Sequence, residues 1–120
     1  MQQLKRGAVV LVVFQGDYGK VRPAIVIQSD TSLEASASAT VALITSDLQP
    51  DTTVRVDVAP TVENGLKKPS QIQADKLQTP RLEKIREVIG HLDKLTSQKL
   101  DVALALHLNL YAPAMPGDTP

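Results

Sequence analysis

The chain has 120 residues, of which 42% are apolar, and this is enough for one domain built around a single hydrophobic core. It contains no cysteine, which excludes disulfides, a thiol nucleophile and cysteine metal sites. Its 13 acidic and 13 basic residues balance, and it has two Tyr, one Phe and no Trp, which excludes both the broadly basic surface and the base-stacking platform of general nucleic-acid binders.

The N-terminus leads into the first predicted strand without a recognisable targeting segment. Residues 1–6 carry charge but no small-residue cleavage pattern. No run in the chain approaches the roughly 18 apolar residues of a membrane span. We therefore expect no signal peptide, no membrane partner and a cytoplasmic location.

Three apolar stretches predict the first three strands of an antiparallel sheet. Residues 8–14 and 22–28 are rich in β-branched side chains and flank a glycine-containing turn at 15–19, which predicts a hairpin. Residues 40–45 predict the third strand. The segment between them, 29–39, is small, polar and without period, so we expect a mobile loop there.

The rest of the pattern predicts shorter strands and one helix. Strict alternation at 54–58 predicts a strand with one solvent-exposed face, and further short strands are expected at 70–74 and 88–92. Thr96 is a favourable N-cap residue. The two apolar stripes that follow it predict a helix over 97–110.

Together these elements predict a mainly β (α+β) architecture. We expect a small, strongly curved or barrel-like antiparallel sheet with the C-terminal helix packed against it. The apolar surface of that helix is wide and needs cover on more than one side. Either the core of one chain covers all of it, or the sheet and a second subunit cover it together. The predicted domain spans 1–112, and 113–120 is expected to be a flexible tail.

Most kinds of catalytic machinery lack their parts in this sequence. His91 and His107 lie on different predicted elements and share no metal-ligand spacing with a carboxylate. No glycine-rich phosphate loop and no nucleophile elbow occurs. We therefore expect no metal and no cofactor.

After these exclusions, the remaining candidate functional groups are a cation and two hydroxyls at the ends of neighbouring predicted strands. Pro23 pushes Arg22 towards an extended backbone at a strand start, with Lys20 beside it. Arg22 is either an ordinary surface arginine or a cation presented to a substrate. Thr45 and Ser46 end the next strand, and in an antiparallel sheet the start of one strand lies near the end of its neighbour.

This set of residues suits the cleavage of RNA by internal transfer. RNA carries its own nucleophile, the ribose 2′-OH, so the enzyme has only to position that group and neutralise charge on the phosphate. Arg22 offers a planar, permanently charged donor fork, and Thr45 can hold a phosphate oxygen or orient the attacking group. A carboxylate, Asp75, is expected just after a strand.

These residues resemble those of the MazF/PemK family, the toxin endoribonucleases (mRNA interferases) of bacterial type II toxin–antitoxin pairs. The resemblance covers nearly the whole chain, and its most specific part is the Arg-Pro strand together with the Ile-Thr-Ser strand end. The matching segments are Lys5-Arg6-Gly7, Val21 to Ile27, Ala42 to Ser46, Gly65 to Ser70, Gln73 to Lys76 with Thr79, and Ile89 to Leu92.

The resemblance implies a small SH3-like barrel of the CcdB/MazF kind, a homodimer, and sequence-specific, metal-independent cleavage of single-stranded RNA. The products would carry 2′,3′-cyclic phosphate and 5′-hydroxyl ends. The catalytic arginine of the family falls on Arg22 and its catalytic threonine on Thr45. A cognate antitoxin with an acidic, disordered segment is the implied protein partner.

The RNA-binding residues expected around this pair come from two sources. The residues of the family that line the RNA groove fall on Ser70, Asp75 and Lys76. Lys20, two residues before Arg22, and Ser46, directly after Thr45, join them because they flank the expected catalytic pair in the sequence.

The chain departs from the family pattern at Ala8, where members usually carry an acidic residue, and in the loop 15–20, which is shorter than usual. Two alternative functions stay open on the sequence. One is a non-enzymatic, CcdB-like toxin that binds a protein target such as DNA gyrase through the helix at 97–110. The other is a barrel that serves only as an interaction module.

Overall fold

The computed structural model describes residues 4–110, so the predicted tail at 113–120 lies outside the described residues. Within that range there are a short helix and a long C-terminal helix, besides a 3₁₀ turn at Leu82–Lys84. No helix there is long and apolar enough to cross a membrane. The strands and helices are β1 (Ala8–Val13), β2 (Val21–Val26), α1 (Asp30–Glu34), β3 (Val41–Thr45), β4 (Arg55–Val58), β5 (Ser70–Gln78), β6 (Ile85–His91) and α2 (Lys94–Leu108).

All six strands form one antiparallel sheet in the order β4-β5-β3-β2-β1-β6. Strands β1, β2 and β3 are neighbours, as the predicted hairpin and third strand require. Strand β5 lies between β3 and β4, and α2 contacts β4 and β5. The predicted mainly β fold with a C-terminal helix is confirmed.

The core is divided between the two faces of the sheet. Val9 and Ile25 pack on the face that carries α2, together with Leu104 of that helix. Val10 and Val26 pack on the opposite face. Because both faces are buried, β1 and the end of β2 consist of uninterrupted apolar residues rather than an alternating pattern.

The predicted mobile loop at 29–39 is wrong, because this segment contains α1. Ser29 caps the helix, its hydroxyl accepting the N–H of Ser32 at 3.2 Å. Leu33 packs against the core on the face opposite α2. A helix of five residues leaves too little periodicity in the sequence to be recognised.

Strand β5 continues to Gln78 instead of ending at 74, so Asp75 lies inside a strand and not after one. Leu77 lies opposite Ala42, whereas Gln73 lies opposite the next residue of β3. The intervening residues of β5 therefore form a bulge. A bulge breaks the alternation that strand prediction depends on.

Helix α2 begins one turn earlier than predicted and is capped by Asp93 rather than by Thr96. The Asp93 carboxylate accepts the Thr96 N–H at 2.9 Å. Hydrogen bonds from the hydroxyl and the backbone N–H of Thr96 lower the pKa of Asp93. The helix ends at Leu108, before Asn109 in the left-handed region.

One side of α2 is covered by the sheet and the other is not. Leu100, Ala103 and Leu104 are buried against the face formed by β4 and β5. The large apolar side chains of this region that stay exposed are Leu95, Val102, Leu106, Leu108 and Leu110. Only part of the wide apolar surface predicted for this helix is therefore buried within the chain.

The Asn64–Gly65 turn is locked against β6. Asn64 is buried, and its side-chain oxygen accepts the N–H groups of Thr61 at 3.0 Å and Leu66 at 2.9 Å. Gly65 has φ +71°, and a Cβ there would overlap the Ile89 carbonyl, so only glycine fits. This turn sets the path of residues 66–69, which reach the site described next.

Candidate functional site

Arg22 and Thr45 lie beside one another at one end of the sheet. Strands β2 and β3 pair with Ala24 opposite Leu43, and extending this antiparallel register by two residues places Arg22 opposite Thr45. Thr45 in turn lies opposite Gln71 of β5. The side chains of this row therefore share one face of three adjacent strands.

A cleft of about 260 Å³ opens at this end of the sheet. It carries three cations and three hydroxyl side chains over an apolar floor, and no carboxylate is among its lining residues. Such a set of donors suits an anionic ligand. The lining residues are Arg22, Pro23, Ile44, Thr45, Ser46, Leu66, Lys67, Lys68 and Ser70.

The Arg22 side chain is held by the loop between β1 and β2. Its Nε donates to the Asp17 carboxylate at 3.2 Å, and the Arg22 side chain stays 53% exposed. An exposed ion pair of this kind contributes little to stability. The ion pair matters more for the orientation of the side chain. Because Asp17 is bound through Nε, the two terminal nitrogens of the guanidinium take no part in this ion pair.

The Thr45 hydroxyl accepts a hydrogen bond from the backbone N–H of Asp47 at 3.0 Å. A hydroxyl whose oxygen accepts in this way can still donate its own proton. Ser46, the next residue, is exposed at the rim of the cleft. Thr45 thus keeps a hydroxyl proton that it can donate, and this residue lies opposite Arg22 on the adjacent strand.

Ser70 has a different role in the cleft wall. It is buried, and its hydroxyl donates to the Lys68 carbonyl at 2.8 Å. The hydroxyl proton of Ser70 is therefore already used inside the protein. Its contact fixes the backbone that carries Lys67 and Lys68.

The other residues predicted for ligand binding do not line this cleft. Lys20 is exposed in the loop before β2. Asp75 and Lys76 lie further along β5, in its bulged part, and Lys76 is exposed. One carboxylate oxygen of Asp75 is buried and has no hydrogen-bond partner among residues 4–110.

Sequence reasoning missed Lys67 and Lys68. A signal was present, since two adjacent lysines stand between the Asn64–Gly65 turn and Pro69. What brings these lysines to Arg22 is the packing of the turn on β6.

The histidines lie away from the cleft. His91 is exposed and pairs with Ala8 at the β1–β6 edge, and His107 is exposed on α2. Among residues 4–110 no cluster of three or more histidine, aspartate or glutamate side chains could hold a metal ion.

Comparison with known proteins gives consistent matches along the whole domain. Residues 5–108 match the family described as PemK-like, MazF-like toxin of type II toxin–antitoxin system. The chain is 30% identical over 108 residues to a probable endoribonuclease MazF of Mycolicibacterium smegmatis, covering 89% of this chain and 98% of the relative. It is 32% identical over 114 residues to endoribonuclease EndoA of Bacillus subtilis, covering 89% and 96%.

The fold also matches a solved structure. An endoribonuclease in complex with its cognate antitoxin, from a mycobacterial species, superposes with a TM-score of 0.78. The match covers 92% of this chain and 100% of that chain, at 19% sequence identity.

Proposed function

Since the chain belongs to the PemK-like, MazF-like family of toxins of type II toxin–antitoxin systems, we propose that it is an endoribonuclease whose catalytic pair is Arg22 and Thr45. Its sequence relatives are endoribonucleases, which supports RNA cleavage. The observation that carries the assignment of the pair is that Arg22 and Thr45 lie opposite one another on adjacent strands and line one cleft together with Lys67 and Lys68.

The proposed reaction is an internal transfer within the RNA. The 2′-oxygen forms a bond to phosphorus while the bond to the 5′-oxygen breaks. The 2′-OH proton leaves to water, and the departing 5′-oxygen takes a proton from water. The products are a 2′,3′-cyclic phosphate and a 5′-hydroxyl, and negative charge grows on the non-bridging phosphate oxygens in between.

Arg22 and Thr45 are suited to stabilise that charge. The terminal nitrogens of Arg22 can bind two phosphate oxygens at once, because the guanidinium is a planar donor fork. The Thr45 hydroxyl donates a further hydrogen bond from the adjacent strand. Both groups are held in place before the substrate arrives, by Asp17 and by the Asp47 backbone, so little reorganisation is needed during the reaction.

The wild-type protein is the first test. It is expected to cut single-stranded RNA in excess EDTA, because the nucleophile comes from the RNA itself. The 3′ ends should resist ligation until acid has opened the cyclic phosphate and a phosphatase has removed the resulting monophosphate, and the 5′ ends should accept phosphate from a kinase. RNA that stays intact, or 5′-phosphate ends, would contradict the proposed reaction.

Lys67 and Lys68 are expected to bind flanking phosphates rather than the reacting one. Replacing both by alanine should raise KM several-fold and change kcat little, because contacts to distant phosphates are equal in ground and transition state. The slope of log KM against log salt should decrease by about 0.7 for each lost contact to a single strand. The matched control is Lys5→Ala with Lys84→Ala, two exposed lysines outside the cleft, which should alter neither quantity.

We further propose two protein partners. A second copy of the chain would cover the exposed side chains of α2, since exposed apolar surface of this extent is typical of an interface. The cognate antitoxin would place acidic residues over the cations of the cleft and so exclude RNA. The CcdB-like alternative is not favoured, because the sequence relatives are endoribonucleases.

A further inference from the structure

Gln71 is a buried polar residue whose side chain is fully hydrogen-bonded. It lies on β5 opposite Thr45, and it is 2% exposed. Its Nε2 donates to the Gln49 carbonyl at 3.0 Å and to Asp57 Oδ1 at 2.8 Å. Its Oε1 accepts the Gln49 N–H at 3.0 Å and an Arg55 N–H at 2.8 Å. These contacts satisfy both hydrogens and both lone pairs of the amide.

The contacts of Gln71 hold the segment 46–49, which directly follows Thr45. Both backbone groups of Gln49 bind the Gln71 amide, in the way that a residue of an antiparallel ladder binds its partner. Arg55, which also binds Gln71, donates to the Asp47 carbonyl at 2.9 Å. The segment is thus attached to the sheet at two points, although its residues are exposed.

This segment in turn controls the Thr45 hydroxyl. The Asp47 N–H donates to Thr45 Oγ1, so one lone pair of that oxygen is occupied and the hydroxyl proton has to point elsewhere. If Asp47 moved, the hydroxyl could rotate and the direction in which it donates would no longer be fixed.

We propose that Gln71 is a positioning residue for the catalytic threonine. By fixing Asp47 and Gln49 it keeps the Thr45 hydroxyl proton oriented away from the Asp47 N–H and available to the substrate, and it keeps Ser46 at the rim. This inference rests on the proposed function, because it assigns to Gln71 an effect on the reaction that Thr45 performs. It adds a residue that does not touch the substrate.

The test is the kinetics of Gln71→Leu, alone and combined with Thr45→Val. Leucine keeps the apolar volume and removes all four hydrogen bonds. We expect kcat to decrease about 10-fold with KM nearly unchanged, because misplacement of a catalytic group weakens transition-state binding. In the Thr45→Val background, under single-turnover conditions, Gln71→Leu should add no further loss, since it acts through the hydroxyl that is already absent.

A second measurement separates this role from a general loss of structure. Hydrogen exchange of the Asp47 amide, followed by NMR, should accelerate in Gln71→Leu while the Val10 and Ile25 amides of the core strands keep their protection. If Gln71→Leu does not fold, Gln71→Glu, which keeps the acceptor atoms for Gln49 and Arg55, serves for both measurements. The control Gln78→Leu changes an exposed glutamine of the same strand and should leave activity and exchange unaltered.

The outcomes distinguish a failure of the role proposed for Gln71 from a failure of the proposed function. Equal loss on Gln71→Leu in the wild-type and Thr45→Val backgrounds, or an unchanged Asp47 exchange rate, would overturn the positioning role. A wild-type protein that leaves RNA intact would overturn the proposed function itself. An active wild type with a fully active Gln71→Leu variant would overturn only the role of Gln71.

Discussion

Replacement of Arg22 by alanine is expected to lower the rate of RNA cleavage by at least about 10²-fold, the usual loss when one preorganised donor to a developing charge is removed. Arg22 is expected to make the larger contribution of the pair because it supplies a full charge and two donors. The loss should appear in kcat and in kcat/KM alike, since the contact strengthens as charge grows on the phosphate.

The Arg22→Ala variant should remain folded. Its ion pair with Asp17 is exposed, and pairs of this kind contribute about 0–1 kcal/mol. The matched control is Arg81→Ala, which removes an arginine whose Nε is paired with Glu83 at 3.1 Å but which lies outside the cleft. That control should keep both its melting temperature and its cleavage rate.

Arg22→Lys distinguishes charge from geometry. Lysine keeps the positive charge but lacks the planar fork that can bind two phosphate oxygens. We expect partial activity, between that of the wild type and that of alanine. Cleavage at the wild-type rate in Arg22→Ala would rule out the catalytic role proposed for Arg22.

Replacement of Thr45 by valine is the second change for which we expect a large effect, a decrease in kcat of about 10²-fold. Valine has nearly the same shape, so the apolar floor of the cleft, formed in part by Ile44, should be kept. What is lost is the donor to the phosphate and the acceptor for the Asp47 N–H. The exposed position of Asp47 lets water replace the latter.

Thr45→Ser is the informative companion. Serine restores the hydroxyl without the methyl group, so we expect most of the activity to return. Thr31→Val, on the exposed surface of α1, is the control for the same chemical change away from the site. If serine were as inactive as valine, the methyl packing of Thr45 and not its hydroxyl would be what matters.

The sequence was sufficient for the parts of the molecule that depend on near neighbours. The β-branched runs on either side of a glycine turn specify the β1–β2 hairpin, because their side chains favour extended backbone and the glycines allow the reversal. Pro23 holds Arg22 at a strand start, and the polar residues after Thr45 end β3. From these positions alone, antiparallel pairing predicts that the two residues share one end of the sheet.

Local sequence patterns did not predict the structure correctly at two places. At one, two nearby residues were both favourable helix caps, and at the other, a bulge interrupted the alternation of a strand. Asp93 and Thr96 are both good capping residues, and the packing of Leu100 and Leu104 on the sheet favours a helix that begins at Lys94. The bulge in β5 placed Asp75 inside the strand. No short-range pattern reports where a bulge will fall.

What the amino-acid sequence determined by itself is therefore the family, the mainly β fold with its β1–β2 hairpin, and the position of Arg22 and Thr45 at one end of the sheet, since these follow from short segments with strong local preferences. Only the tertiary structure decided that Lys67 and Lys68 join the cleft and that Gln71 is buried beneath the segment after Thr45. It also showed that Lys20, Asp75 and Lys76 lie outside the cleft. These outcomes depend on contacts between residues distant in the chain, such as the Asn64–Gly65 turn on β6 and Gln71 on Gln49, and their energies are absent from any local pattern.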